Sequence, residues 1–188
     1  MISVLIVDDD PFWQQQLRKD LNEELDITVV SAVASKEDAL LMIQERDVDI
    51  VLMDINLTEN LLDGIDATQL IDRLTNVETK VIMLTSFQEP EIIVESFRKG
   101  ATNYIPKSNY ANLVTSIREA YQGKSTFHAD IAEVIRAELR LSVLTPMERQ
   151  VYQLRKQGLN NTQIAEKLFK SLNTIKSQIK SIRNKIRF

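Results

Sequence analysis

The chain has 188 residues, no cysteine and one histidine, with 44% hydrophobic, 27% charged and 6% aromatic residues. Those fractions are ordinary for a folded globular protein and too apolar for a disordered chain. The lack of cysteine excludes disulfides, thiolate zinc sites, iron–sulfur clusters and thiol catalysis, and a lone histidine argues against a His-rich metal site or a His-based triad.

The longest N-terminal apolar run, Val4–Val7, is too short for a signal peptide or a membrane span, so a cytoplasmic location is expected. The net charge of −4 averages two opposite regions. Residues 1–122 carry 10 Lys and Arg against 22 Asp and Glu, a charge of −12. Residues 123–143 are neutral, and residues 144–188 carry 10 basic against 2 acidic residues, a charge of +8. Such asymmetry predicts two domains, the second with a polyanionic partner.

In chain order, apolar runs at Val4–Val7, Ile27–Val33, Ile50–Met53, Val81–Leu84 and Tyr104–Ile105 read as strands buried on both faces. Helix-length amphipathic segments alternate with them, at Pro11–Leu25, Lys36–Arg46, Ile65–Leu74, Pro90–Lys99 and Asn109–Gln122. Pro11, Pro90 and Pro146 sit where helices would start. Ser35 with Asp38 and Thr145 with Glu148 have capping-box spacing, and Gly100, Gly123 and Gly158 fall just past helices. Strand signals stop at Gly123. Residues 129–141 read as a linker helix, followed by helices at about 146–157, 161–168 and 172–186. The expected architecture is a doubly wound, five-stranded parallel α/β domain over 1–122, a helical linker over 123–143 and a small all-α domain over 144–188.

An open parallel sheet places its functional crevice beyond the carboxyl ends of its strands. Those ends carry Asp8, Asp9 and Asp10 after the first strand, Asp54 after the third, Thr85 and Ser86 after the fourth, and Lys107 after the fifth. Carboxylates so gathered call for a cation, and all-oxygen ligands point to Mg²⁺ or Mn²⁺ rather than zinc.

The stretches "VLIVDDD", "IVLMDIN", "VIMLTSF" and "ATNYIPKS" resemble the receiver domain of two-component response regulators, a flavodoxin-like fold. The resemblance implies that Asp54 is phosphorylated and that Asp8 and Asp9 hold Mg²⁺ with Asp54 and the backbone carbonyl of Asn56. It also implies that Lys107 pairs with the phosphoryl group, that Thr85 moves to bond it, and that Tyr104 changes rotamer with Thr85. Asn56 and Phe87 would occupy variable positions that tune phosphoryl lifetime. Two departures stand out: the loop "DINLTENLLDG" is about two residues longer than the commonest family form and lacks its usual proline, and Pro106 directly precedes Lys107.

In the basic tail, Ile175, Ile179, Ile182 and Ile186 form one helical stripe. The opposite face carries Asn173, Ser177, Lys180, Ser181 and Asn184, flanked by Lys176 and Arg183, with no acid. Such a face can donate to phosphates and base edges. The segments "LTPMERQV", "QGLNNTQIAEKL" and "NTIKSQI" resemble the LuxR-type helix-turn-helix of NarL/FixJ response regulators. By that resemblance Thr162 begins the scaffold helix, and Asn173, Thr174, Lys176, Ser177, Lys180, Arg183 and Asn184 face double-stranded promoter DNA. Lys170 stands where a hydrophobic residue is usual, Gln178 where histidine is common, and the family's further terminal helix would lie beyond Phe188. His128, with no acidic partner at ligand spacing, and Trp13 read as structural, and Tyr152 and Phe169 as core residues of the small domain.

The leading expectation is a regulator, not a metabolic enzyme, phosphorylated by a histidine kinase or a small phosphodonor and active as a homodimer on DNA. Opposite charges on tethered domains attract, and phosphorylation makes the first domain more negative, so any release must come from a shape change at Thr85 and Tyr104. A haloacid-dehalogenase-type phosphatase is the enzymatic rival, since Asp8 and Asp10 have its D-x-D spacing. That reading leaves Asp54 idle, lacks the late acidic motif and leaves no room for a cap domain. An atypical regulator acting without phosphate, through protein contacts at its fourth helix, is the third reading.

Overall fold

The five apolar runs assemble into one parallel sheet in the computed structural model, which describes residues 1–58, 62–74, 79–124 and 127–186. The strands are β1 (Ile2–Val7), β2 (Ile27–Val33), β3 (Ile50–Met53), β4 (Lys80–Thr85) and β5 (Asn103–Pro106), in the order β2-β1-β3-β4-β5. Helices α1 (Pro11–Asn22), α2 (Lys36–Glu45), α3 (Asp63–Leu74), α4 (Pro90–Arg98) and α5 (Leu113–Tyr121) alternate with them. The order reverses between β1 and β3, which is where a doubly wound sheet opens its crevice.

Local chemistry explains the element boundaries. Asp10 caps α1 by accepting from the Phe12 N–H at 2.9 Å, and Pro11 follows at the first helical position. Ser35 caps α2 by accepting from the Asp38 N–H. Gly100, Gly123 and Gly158 all have positive φ, as left-handed helix ends require. Two expected helices are shorter than their periodicity suggests. Helix α1 stops at Asn22 because residues 23–26 turn back into β2, with Glu24 and Asp26 each 2.6 Å from the Arg118 guanidinium of α5. Helix α5 starts only at Leu113 because residues 107–112 form a 3-10 segment broken at Asn109, whose φ of −113° and ψ of 32° are not helical.

Two compact units divide the chain at residues 132 and 133. In the first, Val4, Ile6, Ile50, Leu52, Ile82 and Leu84 pack against Leu17 and Leu21 of α1 and Leu113 and Ile117 of α5. Phe127 meets Phe97 of α4 edge-on at 5.2 Å. Helix α6 (Ala129–Leu141) crosses the division.

The second unit contains α7 (Pro146–Lys156), α8 (Asn161–Lys167) and α9 (Leu172–Lys185). Its core is Leu144, Val151, Leu154, Ile164, Ala165, Ile175, Ile179 and Ile182, with Tyr152 and Ile186 packed at its edge. The isoleucine stripe of α9 therefore faces inward, as its spacing predicted. Phe169 does not belong to this core. It is 94% exposed at φ +53°, because the tight turn between α8 and α9 needs a left-handed residue there and turns its side chain outward. Among the described residues, no helix is long and apolar enough to cross a membrane.

Candidate functional site

Register brings the acidic site together. Val7 pairs with Met53, so the next residue of each strand, Asp8 and Asp54, emerges level with the other, and the Asp54 N–H reaches the Val7 carbonyl at 2.8 Å. Thr85 pairs with Pro106, which delivers Lys107 to the same edge. Proline is tolerated there because β5 is an edge strand.

Lys107 joins the two carboxylates. Its Nζ lies 2.7 Å from Asp8 Oδ2 and 3.0 Å from Asp54 Oδ2, and all three side chains are at least nine-tenths buried. Asp54 Oδ1 accepts from the Ile55 N–H at 2.7 Å, and Asp8 Oδ1 from the Asp10 N–H at 3.0 Å. Burial pushes the Asp8 carboxyl up to about 6 despite the lysine, with the Asp54 charge adding to the rise. Burial alone would depress Lys107, but hydrogen bonds and charge from Asp8 and Asp54 outweigh it and hold the ammonium above its ordinary value.

Asp9 is exposed at the mouth of this site. One carboxylate oxygen each from Asp8, Asp9 and Asp54 lies within 4.8 Å of the others. The side-chain oxygen of Asn56, next along the loop, is buried and has no donor among the described residues. The three carboxylates are a hard, all-oxygen set that fits Mg²⁺ or Mn²⁺. Asp10 stands apart, its carboxylate engaged in capping α1. That leaves the D-x-D reading of Asp8 and Asp10 without its second carboxylate.

Thr85 and Tyr104 converge on the backbone of one residue. The Thr85 hydroxyl accepts from the Phe87 N–H at 3.4 Å, and the Tyr104 hydroxyl donates to the Phe87 carbonyl at 2.9 Å. Both side chains are buried, and burial first, then the charges of Glu89 and Asp54, raise the Tyr104 hydroxyl well above its usual range. The backbone of Phe87 is thus the shared partner of both residues.

Sequence reasoning missed Gly64. A Cβ there would stand 1.9 Å from the Asp54 carbonyl oxygen, so only glycine lets α3 approach the main chain of Asp54. The Gly64 N–H also donates to the Ile55 carbonyl at 3.0 Å. Asp63 gathers the long loop, accepting from the Leu57 N–H at 3.0 Å and the Thr58 hydroxyl at 2.5 Å, while Ile55 and Leu57 are buried. Residues 59–61 of that loop lie outside the described residues. The available signal was that Gly64 is the one glycine of four not placed at a helix end.

In the second unit, Ser171 caps α9 by accepting from the Thr174 N–H at 3.1 Å. Asn173, Thr174, Lys176, Ser177, Lys180, Arg183 and Asn184 are all exposed along α9, and Thr162 is exposed on α8. Thr162 is the second residue of α8, not its first, because Asn160 and Gln163 form the capping box and Asn161 begins the helix. Ser181 leaves the polar face. Its hydroxyl donates to Glu148 Oε1 at 2.6 Å, and Lys185 reaches Glu148 Oε2 at 2.7 Å.

Glu148 therefore does more than its spacing suggested. It closes the capping box of α7 with Thr145 and also holds α9 through Ser181 and Lys185. The Lys185 bond foremost, then those from Ser181 and the Thr145 N–H, pulls its carboxyl down to about 2. His128 also has an acidic neighbour, with Asp130 Oδ2 3.4 Å from its Nδ1, because the two side chains meet where α6 begins.

Comparison with known proteins agrees with both halves. Residues 4–118 match the response regulator receiver domain, and residues 142–188 match the bacterial regulatory proteins of the luxR family. The chain is 30% identical to the uncharacterized transcriptional regulatory protein YxjL of Bacillus subtilis, over 98% of this chain and 88% of that one. It is also 30% identical to the transcriptional regulatory protein LiaR of Bacillus subtilis, over 99% and 91% of the two chains. In fold it is similar to RcsB of Salmonella enterica serovar Typhimurium, at a TM-score of 0.69 and 24% identity over 100% of this chain and 93% of that one. The chain belongs to the response regulators, transcription regulators that join a receiver domain to a LuxR-type DNA-binding domain.

Proposed function

We propose that Asp54 accepts a phosphoryl group with Mg²⁺ or Mn²⁺ bound, and that this modification controls promoter binding by α9. The observation that carries the reading is the Lys107 ammonium held between Asp8 and Asp54 at the crevice end of the sheet. Asp8, Asp9, Asp54 and the backbone carbonyl of Asn56 would hold the cation, which when bound neutralises charge on the transferring phosphoryl oxygens.

The chain's own groups supply the rest. An Asp54 carboxylate oxygen attacks phosphorus and forms the new P–O bond. The donor's P–N or P–O bond breaks, and the electron pair leaves with a histidine of a kinase or with the carboxylate of an acyl phosphate. Lys107 already donates to Asp54 and is placed to donate to a phosphoryl oxygen there. The new group carries close to two negative charges and strong acceptors. Thr85 turns its hydroxyl toward them and leaves the Phe87 N–H, and Tyr104, bonded to the carbonyl of the same residue, moves with the loop. Phe97 and Phe127 then carry the change from α4 to the segment that leads into α6. The span 123–143 serves as linker between a receiver over 1–122 and a DNA-binding domain over 144–188. A homodimer is the active form.

On α9, Lys176, Lys180 and Arg183 contact phosphates, and Asn173, Thr174, Ser177 and Asn184 reach base edges, with Thr162 contacting the backbone from α8. The basic exposed face, free of acids, supports this assignment. The solved RcsB is described as bound to the promoter rprA in the presence of the phosphomimetic BeF₃⁻. The test is to incubate wild type with Mg²⁺ and acetyl phosphate. An acid-stable, base-labile adduct that Asp54→Asn lacks is expected, together with tighter promoter binding. No adduct, or one that survives Asp54→Asn, would sink the reading.

A further inference from the structure

Trp13, the chain's single tryptophan, stands in the first turn of α1 where the periodicity asks only for an apolar residue. Its ring centroid lies 5.0 Å from Lys107 Nζ, inside cation–π range. The ammonium has three N–H groups, and Asp8 and Asp54 engage two of them. The indole is therefore an apolar neighbour of a nearly buried charge that two carboxylates also hold.

The ring itself is held in place. Asp10 and Pro11 set the start of α1, and Tyr110 meets Trp13 edge-on at 5.8 Å. Tyr110 follows Lys107 by three residues, across the break at Asn109, and both side chains reach the indole. Its hydroxyl donates to Asp20, one α1 face with Trp13, where Gln16 also donates at 2.8 Å. The indole thus spans from the root of α1 to the residue that bonds the phosphoacceptor.

We infer that Trp13 is a positioning residue for phosphoryl transfer, its indole face holding the Lys107 ammonium on Asp54. The inference rests on the reading of Asp54 as phosphoacceptor. Leucine at this position would keep apolar contact with the core but offer no π face, whereas phenylalanine would offer a smaller one.

The test compares phosphorylation rates with Mg²⁺ and acetyl phosphate for wild type, Trp13→Leu, Trp13→Phe, Lys107→Ala and Trp13→Leu with Lys107→Ala. Trp13→Leu is expected to slow phosphorylation about tenfold, Trp13→Phe to restore most of it, and the double variant to match Lys107→Ala alone. Indole emission supplies a readout that needs no change at Trp13: Lys107→Ala should shift it in the otherwise unchanged chain. Wild-type rates in Trp13→Leu, an equal loss in the Lys107→Ala background, or unchanged emission would overturn the inference. A wild type with no adduct, yet with emission that responds to Lys107→Ala, would instead place the failure in the Asp54 reading.

Discussion

The two units handle charge in opposite ways. In the first, Asp8, Asp54 and Lys107 are withdrawn from water and satisfy one another at the ends of strands. In the second, Lys176, Lys180 and Arg183 stand exposed on α9, while one carboxylate, Glu148, is drawn inward as a clamp. Buried charges are strong and geometrically demanding, because each loses its hydration and must find its partner at a fixed distance. Exposed charges are individually weak but additive toward a polyanion, because each contact with a phosphate releases counterions. The first unit is therefore suited to sensing one chemical event, and the second to holding an extended partner.

The largest way to break this contrast is at Gly64. Gly64→Ala must push α3 away from the Asp54 main chain, and the first unit should lose about 3 kcal/mol of stability. Urea unfolding followed by circular dichroism would show it, with a parallel loss of Mg²⁺ affinity. An alanine variant with both properties intact would refute the close approach.

The exposed side is tested by charge removal. Lys176→Ala with Lys180→Ala should weaken binding to promoter and unrelated DNA alike, and lower the slope of log affinity against log salt by about 2. An unchanged slope would mean that these lysines do not meet phosphates.

A smaller effect is expected at the cap of α7. Thr145→Ala removes one half of the capping box and should cost the second unit about 1 kcal/mol, leaving phosphorylation of Asp54 untouched. Thermal unfolding and adduct formation measured on the same variant check both halves of that statement.

The smallest effect is the acid response of Glu148. Its carboxyl lies near 2 in the folded chain against an ordinary 4.5, so its contribution to stability is present above 4.5 and is lost as pH falls toward 2. Glu148→Gln should flatten that part of the stability–pH profile of the second unit. A variant profile as steep as wild type would assign the acid sensitivity elsewhere.

Much of the first unit was legible because its signals are local. Apolar runs, prolines at helix starts and glycines past helix ends depend on neighbours a few residues away, and the strand-end residues Asp8, Asp54, Thr85 and Lys107 could be read in order. The helix ends that moved, at Asn22 and Leu113, depend on Arg118 and on the backbone at Asn109, which periodicity does not carry. The polar face of α9 was legible from its 100° spacing, except at Ser181. Spacing cannot show that Glu148, 33 residues earlier, will take that hydroxyl.

By itself, the sequence determined the alternation of strands and helices, the charge division and the isoleucine stripe, since each follows from covalent order and the periods of regular backbone. Only the tertiary structure decided which charges are buried. Strand register set Asp8 level with Asp54, the parallel order brought Lys107 and Trp13 to them, and the absence of a side chain at Gly64 let α3 close on the same main chain. Those contacts join residues up to about a hundred positions apart, and desolvation acts on three-dimensional neighbours rather than on neighbours in the chain.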